Sequence, residues 1–297
     1  MKKFSFAHIA LAGVLAASLA LTGCSGSGAG TGASAPAASG SAASVAQDKV
    51  LTIAMECAYA PYNWAQNDDS NGAVPIKGSS QYANGYDIMM AKKICEANGW
   101  ELEVVQSDWD SLVPAVQTGT VDAVIAGQSM TAERSEQVDF AGPYFYASIV
   151  CVTKKDSALA SAKGLADLAG ATGTAQIATI WYDNCLPQIK DAKIQTASET
   201  APAMLMALET GMVDFICTDM PTAQGAVAAY QDLTILDFTG SDDNFVADEG
   251  EINIGISVRK GNTELKAAID KVLAAMTADD FNSMMAQAIK VQPISES

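Results

Sequence analysis

Residues 112–126, LVPAVQTGTVDAVIA, and residues 204–218, MLMALETGMVDFICT, carry Ala, Thr-Gly and Val-Asp at matched positions 92 residues apart. Each reads as the end of a helix stopped by glycine, followed by an Asp at the mouth of a short apolar strand. The far end of each strand delivers polar groups: Gly127 to Arg134 in the first, Asp219 in the second. In open α/β sheets ligands bind beyond the carboxyl ends of the strands, so two such units facing one another make a cleft.

Outward from this pair, strands are predicted at 50–55, 101–106, 121–126, 144–154, 171–174, 192–195, 213–218, 233–238 and 252–258. Helices are predicted at 87–97, 109–118, 262–276 and 278–289. This alternation argues for an α/β chain whose sheets are mainly parallel and covered by helices. Its expected division is a first lobe of 48–147 together with 257–297, and a second of 151–252. Two extended crossings, 144–153 leading out and 252–258 leading back, would let the lobes close on a solute about a hinge.

The first fifty residues set the expected location. Lys2 and Lys3 precede an apolar stretch at 9–21, shorter than a membrane span requires, which ends in Leu21-Thr22-Gly23-Cys24. Residues 1–23 therefore read as a secretory signal, and the small residues before Cys24 resemble a bacterial lipobox, with cleavage before Cys24 and lipid on its sulfur. Residues 25–47 are almost all Ser, Gly, Ala and Thr, a flexible tether with a mean reach of about 25 Å. The expected protein is extracytoplasmic and membrane-anchored without spanning.

Without residues 1–23 the chain keeps 15 lysines and arginines against 34 acids, a net charge of −19, which argues against nucleic acid or anionic lipid as a partner. The single histidine, His8, lies in the signal segment. Nucleophile–histidine pairs and histidine-bearing zinc sites are thereby removed, and no cofactor or metal is expected. Five cysteines follow Cys24, at 57, 95, 151, 185 and 217, without Cys-x-x-Cys spacing. Cys151 and Cys217 fall in apolar runs as small core residues, and their spacing leaves the bridging of any pair open.

Only two arginines occur in the chain, so Arg134 stands out where lysine supplies fifteen of seventeen cations. A guanidinium matches a carboxylate with two parallel hydrogen bonds. Thr131, followed by Ala-Glu-Arg, reads as a helix N-cap with its positive dipole end toward the preceding turn. Arg134, the Ser129 hydroxyl and nearby amides could clamp an anion, and Gly173-Thr174-Ala175 offers a second helix start opposite. Asp219 suits an ammonium; before Met-Pro it also reads as an N-cap, and the two roles are compatible. Together these poles describe an α-amino acid.

Gly85-Tyr-Asp, Trp109-Asp-Ser-Leu-Val-Pro-Ala, Gly119-x-Val-Asp, Ala126-Gly-Gln-Ser-Met-Thr-Ala-Glu-Arg134, Val138-Asp-Phe-Ala-Gly-Pro-Tyr-Phe, Gly173-Thr and Asp219, in this order, resemble the extracellular solute-binding proteins of polar amino-acid ABC transporters, family 3. The resemblance covers about 50–290 and implies a two-lobed periplasmic-binding-protein-like fold of type II. It implies that Arg134 and Ser129 take the α-carboxylate, helped by Gly127 and by the turn at Gly173, Thr174 and Ala175, and that Asp219 takes the α-ammonium. Tyr59 and Trp109 would flank the ligand side chain, and Glu56 falls where the family often places an acid near its far end, tilting the expectation toward arginine, lysine or glutamine.

The chain departs from the family pattern at Met89, at Gln128, which replaces an apolar residue and is counted among the ligand contacts, and in residues 66–82, longer than the usual loop. Tyr62 and Trp64, just before that loop, line the cleft mouth or pin it. The implied function is a monomeric lipoprotein that captures a free amino acid and delivers it to an ABC permease. Two other readings share the scaffold: a sensor or adhesin that presents its ligand to a receptor, and a dehydratase or lyase using Glu56 or Asp219 as acid or base.

Overall fold

The computed structural model describes Val45 and residues 48–293. The signal segment, Cys24 and the tether up to 47 fall outside the described residues, apart from Val45. Two five-stranded sheets, one in each lobe, carry the fold. The first runs Glu101–Gln106, Val50–Met55, Ala123–Val124, Ile254–Arg259, Val138–Phe145; the second runs Lys193–Ile194, Thr172–Thr174, Phe215–Asp219, Ile149–Lys154, Leu233–Leu236.

Each sheet is mainly parallel, as expected, with four strands running one way and a single strand reversed among them. Val50–Met55 is parallel to both neighbours, whereas Ile254–Arg259 is antiparallel to both of its own. In the second sheet Thr172–Thr174 is the parallel centre and Ile149–Lys154 the antiparallel one. The reversed strands are those that carry the chain between lobes, because a crossing strand enters its new sheet from the opposite end. The outward crossing is two strands, Val138–Phe145 and Ile149–Lys154, rather than one.

The internal repeat has a common mechanism. Helix Leu112–Thr118 ends at Gly119 in the left-handed region, φ 76°, and helix Ala201–Glu209 is followed by Gly211 at φ 73°. The threonine before each glycine hydrogen-bonds back to the preceding turn: Thr118 Oγ1 to the Pro114 carbonyl, Thr210 Oγ1 to the Met206 carbonyl. The aspartate of each unit then clips the neighbouring parallel strand, Asp122 accepting from the Thr52 N–H at 2.9 Å and Asp214 from the Thr172 N–H at 2.7 Å. Matched residues thus place both strand ends, and the polar groups beyond them, at equivalent heights in the two lobes.

Residues 58–84 hold a feature that periodicity misses. Ala58–Tyr59, Asn63–Gln66, Tyr82–Asn84 and Val74–Pro75 form a four-stranded antiparallel sheet. Strands of two to four residues are too short to show alternation. The Lys77 N–H donates to the Val104 carbonyl at 2.8 Å, so the long segment is joined to the edge of the first sheet. Gly85, φ 124°, closes this sheet into helix Tyr86–Asn98; a Cβ there would meet the Tyr62 carbonyl oxygen at 2.3 Å.

One contiguous core runs through both lobes, with Tyr62, Tyr86, Tyr144 and Phe145 clustered where the outward crossing leaves the first sheet. Helices Thr263–Leu273 and Ala278–Val291 pack back on the first lobe, and Gln292 Nε2 donates to the Gly225 carbonyl of the second at 2.8 Å. Cys57, Cys95, Cys151, Cys185 and Cys217 are free and buried. Among the described residues no helix is long and apolar enough to cross a membrane, and no His, Cys, Asp and Glu side chains cluster to hold a metal ion.

Candidate functional site

The first lobe offers its polar groups from the turn beyond Ala123–Val124. Gly127 sits there at φ 64° beneath the Tyr59 ring, which a Cβ would approach to 2.8 Å. Its N–H does not face the cleft but donates to Tyr144 Oη at 3.0 Å, and Tyr144 Oη donates to Asp87 Oδ1 at 2.6 Å. Asn63 Nδ2 binds the other Asp87 oxygen at 2.8 Å and receives the Cys57 N–H on its own oxygen at 2.7 Å. This buried network ties the turn to helix Tyr86–Asn98, and burial pushes the Asp87 carboxyl up to about 7.

Thr131 caps helix Ala132–Gln137 by accepting the Arg134 N–H at 3.2 Å, and Glu251 accepts the first free amide, from Ala132, at 3.1 Å. The amide end of this short helix therefore already holds a carboxylate of the chain itself. The Arg134 side chain reaches into the cleft: Nη1 donates to the Ser129 carbonyl at 2.9 Å and Nη2 to the Ala178 carbonyl of the second lobe at 2.7 Å. Its guanidinium lies 5.4 Å from the centre of the buried Trp109 ring. Burial lowers its pKa to about 10, leaving it charged at neutral pH. A cavity of about 440 Å³ opens beside it, lined by Trp109, Gln128, Thr131, Ala178 and Asp183 among others.

Asp219 ends strand Phe215–Asp219 and caps helix Met220–Ala229, accepting the Thr222 N–H at 2.9 Å. It is fully buried, and Tyr59 Oη from the first lobe donates to its other oxygen at 2.7 Å. Burial raises its pKa in spite of these donors. Tyr59 in turn stacks on Tyr62 at 5.2 Å and meets Trp109 edge-on at 6.3 Å. Tyr62 and Trp64 are both buried, and Trp64 Nε1 donates to Gln66 Oε1.

Glu56, 6 % exposed, accepts Gln176 Nε2 of the second lobe at 3.2 Å and borders another cavity of about 570 Å³. Side chains of Tyr59, Glu56 and Arg134 thus make polar contacts across the cleft, beside the Ala132 amide held by Glu251. Arg134, Trp109, Tyr59 and Asp219 form a connected group with Glu56 to one side. Gln128 lines the cavity while its Oε1 accepts Ser257 Oγ at 3.0 Å; Thr174 Oγ1 donates to the Thr196 carbonyl at 2.9 Å, and the Ala175 carbonyl accepts the Ser198 N–H at 3.0 Å. Sequence reasoning missed Gln176, the Ala178 carbonyl and the Asn63–Asp87–Tyr144 network. Ala178 holds φ at 53°, uncommon for a residue with a Cβ, but no residue type announces it.

A stability effect follows from the buried acids. Burial, opposed by the Gln176 hydrogen bond, raises Glu56 from 4.5 to about 7. A carboxyl whose folded pKa is raised binds more protons folded than unfolded between the two values, so stability falls as pH rises through about 4.5 to 7 and the loss is complete above that. Glu56→Gln is expected to raise stability at pH 8 by about 2 kcal/mol and to flatten this slope, with little change at pH 4. Thermal melts across this range check it; equal melting temperatures for the two proteins at pH 8 would contradict it.

The family model described as bacterial extracellular solute-binding proteins, family 3, matches residues 51–288. A probable histidine-binding protein of Campylobacter jejuni is 28% identical over 193 residues, covering 64% of this chain and 69% of its own. The crystal structure of the amino acid ABC transporter substrate-binding protein AbpA from Streptococcus pneumoniae bound to L-arginine superposes with a TM-score of 0.69 at 25% identity, over 83% of this chain and 97% of that one. An ancestral amino-acid-binding protein, described as a precursor of cyclohexadienyl dehydratase, gives 0.67 at 26% identity, over 84% and 99%.

Proposed function

Because the chain belongs to the bacterial extracellular solute-binding proteins, family 3, we propose that it captures a free amino acid between its lobes, Arg134 taking the α-carboxylate and Asp219 the α-ammonium. The observation that carries this reading is the placement of opposite charges on facing halves: a guanidinium against Trp109 in one lobe and a fully buried carboxylate in the other, joined through Tyr59. A zwitterion entering here exchanges the Ala178 carbonyl at Arg134 for a charged acceptor, and the Tyr59 hydroxyl at Asp219 for a charged donor. Ionic hydrogen bonds of this kind are worth about 1.5–3 kcal/mol each, so a few supply much of the roughly 8 kcal/mol of a micromolar complex.

The side chain is proposed to be cationic or amide-bearing, supported by Glu56 and by the names of the similar proteins, which specify histidine and L-arginine. Ser129 assists at the carboxylate. The lobes are 48–147 with 257–297, and 151–252. Cys24 carries the lipid anchor, the chain acts as an extracytoplasmic monomer, and an ABC permease receives the ligand. An enzymatic role is disfavoured because the chain beyond His8 has no histidine and both candidate acids are engaged in hydrogen bonds.

A thermal-shift screen of the chain from residue 25 against the common amino acids tests the reading. A ligand at a hundred times its dissociation constant adds about 2.7 kcal/mol of stability. No shift with any of them removes amino-acid capture, and formation of product on prolonged incubation restores the enzyme. Unchanged uptake of the bound solute by cells lacking the protein favours sensing over transport.

A further inference from the structure

We propose that Tyr62 is a positioning residue for the ammonium contact, its hydroxyl pairing with that of Tyr59 once a ligand ammonium has displaced Tyr59 from Asp219. This rests on the amino-acid reading above and deepens it by naming where the displaced hydroxyl goes. Tyr62 Oη is fully buried and makes no hydrogen bond among the described residues. A buried hydroxyl without a partner has given up its bonds to water for nothing, whereas a phenyl ring of the same shape carries no such penalty.

The Tyr62 ring is clamped in place. Tyr86 and Phe145 meet it edge-on at 6.2 and 6.3 Å, with interplanar angles of 82° and 88°. The backbone is fixed as well, the Pro61 carbonyl accepting the Tyr86 N–H at 3.1 Å and the Tyr62 carbonyl the Asp87 N–H at 2.9 Å. Tyr59 stacks on the ring at 5.2 Å with the planes inclined by 25°, and a Cβ at Gly127 would meet both rings, at 2.8 and 3.1 Å. Burial, and after it the Asp219 carboxylate, push both phenols well above their ordinary pKa, so both keep their protons and both lie near that one acid.

Asp219 itself has no room to spare. Oδ1 accepts the Thr222 N–H at 2.9 Å, and Oδ2 accepts both Thr222 Oγ1 at 3.2 Å and Tyr59 Oη at 2.7 Å. The Thr222 bonds belong to the helix cap, so the donor that an ammonium can replace is Tyr59, which reaches over from the other lobe. Displaced, the Tyr59 hydroxyl would become a second buried orphan. A phenol both donates and accepts, so one bond between Tyr59 and Tyr62 gives each a partner.

Tyr62→Phe removes the hydroxyl and leaves the ring stack. Its test is a thermal melt without ligand, and calorimetric titration with L-arginine, or with whichever common amino acid the thermal screen returns in its place, beside the analogue lacking the α-amino group. The ligand-free variant is expected to melt no lower than the wild type, because the orphan is gone. The amino acid is expected to bind at least about fivefold more weakly, since the displaced Tyr59 hydroxyl is then left without a partner. The deaminated analogue leaves Tyr59 on Asp219 and should change by less than about twofold. Tyr59→Phe supplies the control: with no hydroxyl to receive, adding Tyr62→Phe to it should cost less than about twofold further. A lower melting temperature for Tyr62→Phe, equal losses for amino acid and analogue, or a full additive loss in the double variant overturns the role of Tyr62 while leaving capture standing. No binding of any amino acid by the wild type overturns capture, and this role with it.

Discussion

Arg134→Ala is expected to weaken amino-acid binding by about 2–4 kcal/mol, roughly 30- to 1,000-fold, while the empty protein still folds cooperatively. The magnitude has two parts. The variant loses the planar fork and its charge-assisted bonds, and it leaves a ligand carboxylate desolvated against Trp109 without a cation. Folding is spared because helix Ala132–Gln137 keeps its Thr131 cap, which uses the backbone of residue 134, and because Ser129 and Ala178 lose donors only at their carbonyls, one of them at the exposed cleft edge. Arg134→Lys is expected to fall between the two, since a point charge replaces a bidentate match. Calorimetric titration with the amino acid found by the screen measures all three proteins. Tight binding retained by the alanine variant would put the carboxylate somewhere else.

The two-lobed plan was legible because it is written twice. Thr118-Gly119 and Thr210-Gly211 stop helices, and Asp122 and Asp214 open strands, by local chemistry that residue type and spacing reveal. Strand direction is different: periodicity is the same read either way, so nothing in Ile149–Lys154 or Ile254–Arg259 announces antiparallel pairing. The small sheet of residues 58–84 escaped for want of length. At the site, rarity singled out Arg134, which lines the cavity, and a strand end singled out Asp219, which lies buried beneath the Tyr59 hydroxyl of the other lobe. The contacts across the cleft were hidden, because Gln176 meets Glu56 over 120 positions and the Ala178 oxygen belongs to the backbone. The Gln128 oxygen and the Thr174 hydroxyl bind Ser257 and the Thr196 carbonyl, choices set by packing that no linear pattern records.

Asp219→Asn separates the charge of that residue from its structural work. Asparagine keeps an oxygen for the Thr222 N–H, so the cap on helix Met220–Ala229 survives, and its amide can donate to Tyr59 Oη where the carboxylate accepted from it. What disappears is the negative charge in a fully buried position. Burial raises the Asp219 pKa, so the ionised carboxylate is costly in the empty protein; an arriving ammonium relieves that cost, and the neutral amide offers no such gain. The substitution is expected to weaken amino acids by about 2–3 kcal/mol and their deaminated analogues by less than about 0.5 kcal/mol, with the folded state as stable or slightly more so at pH 8. Measured as a double cycle with ligand deamination, the coupling isolates the ammonium contact from everything else the site does. Equal losses for both ligand classes would leave Asp219 as a helix cap alone and require another partner for the ammonium, with Tyr59, one hydrogen bond away, the first residue to examine.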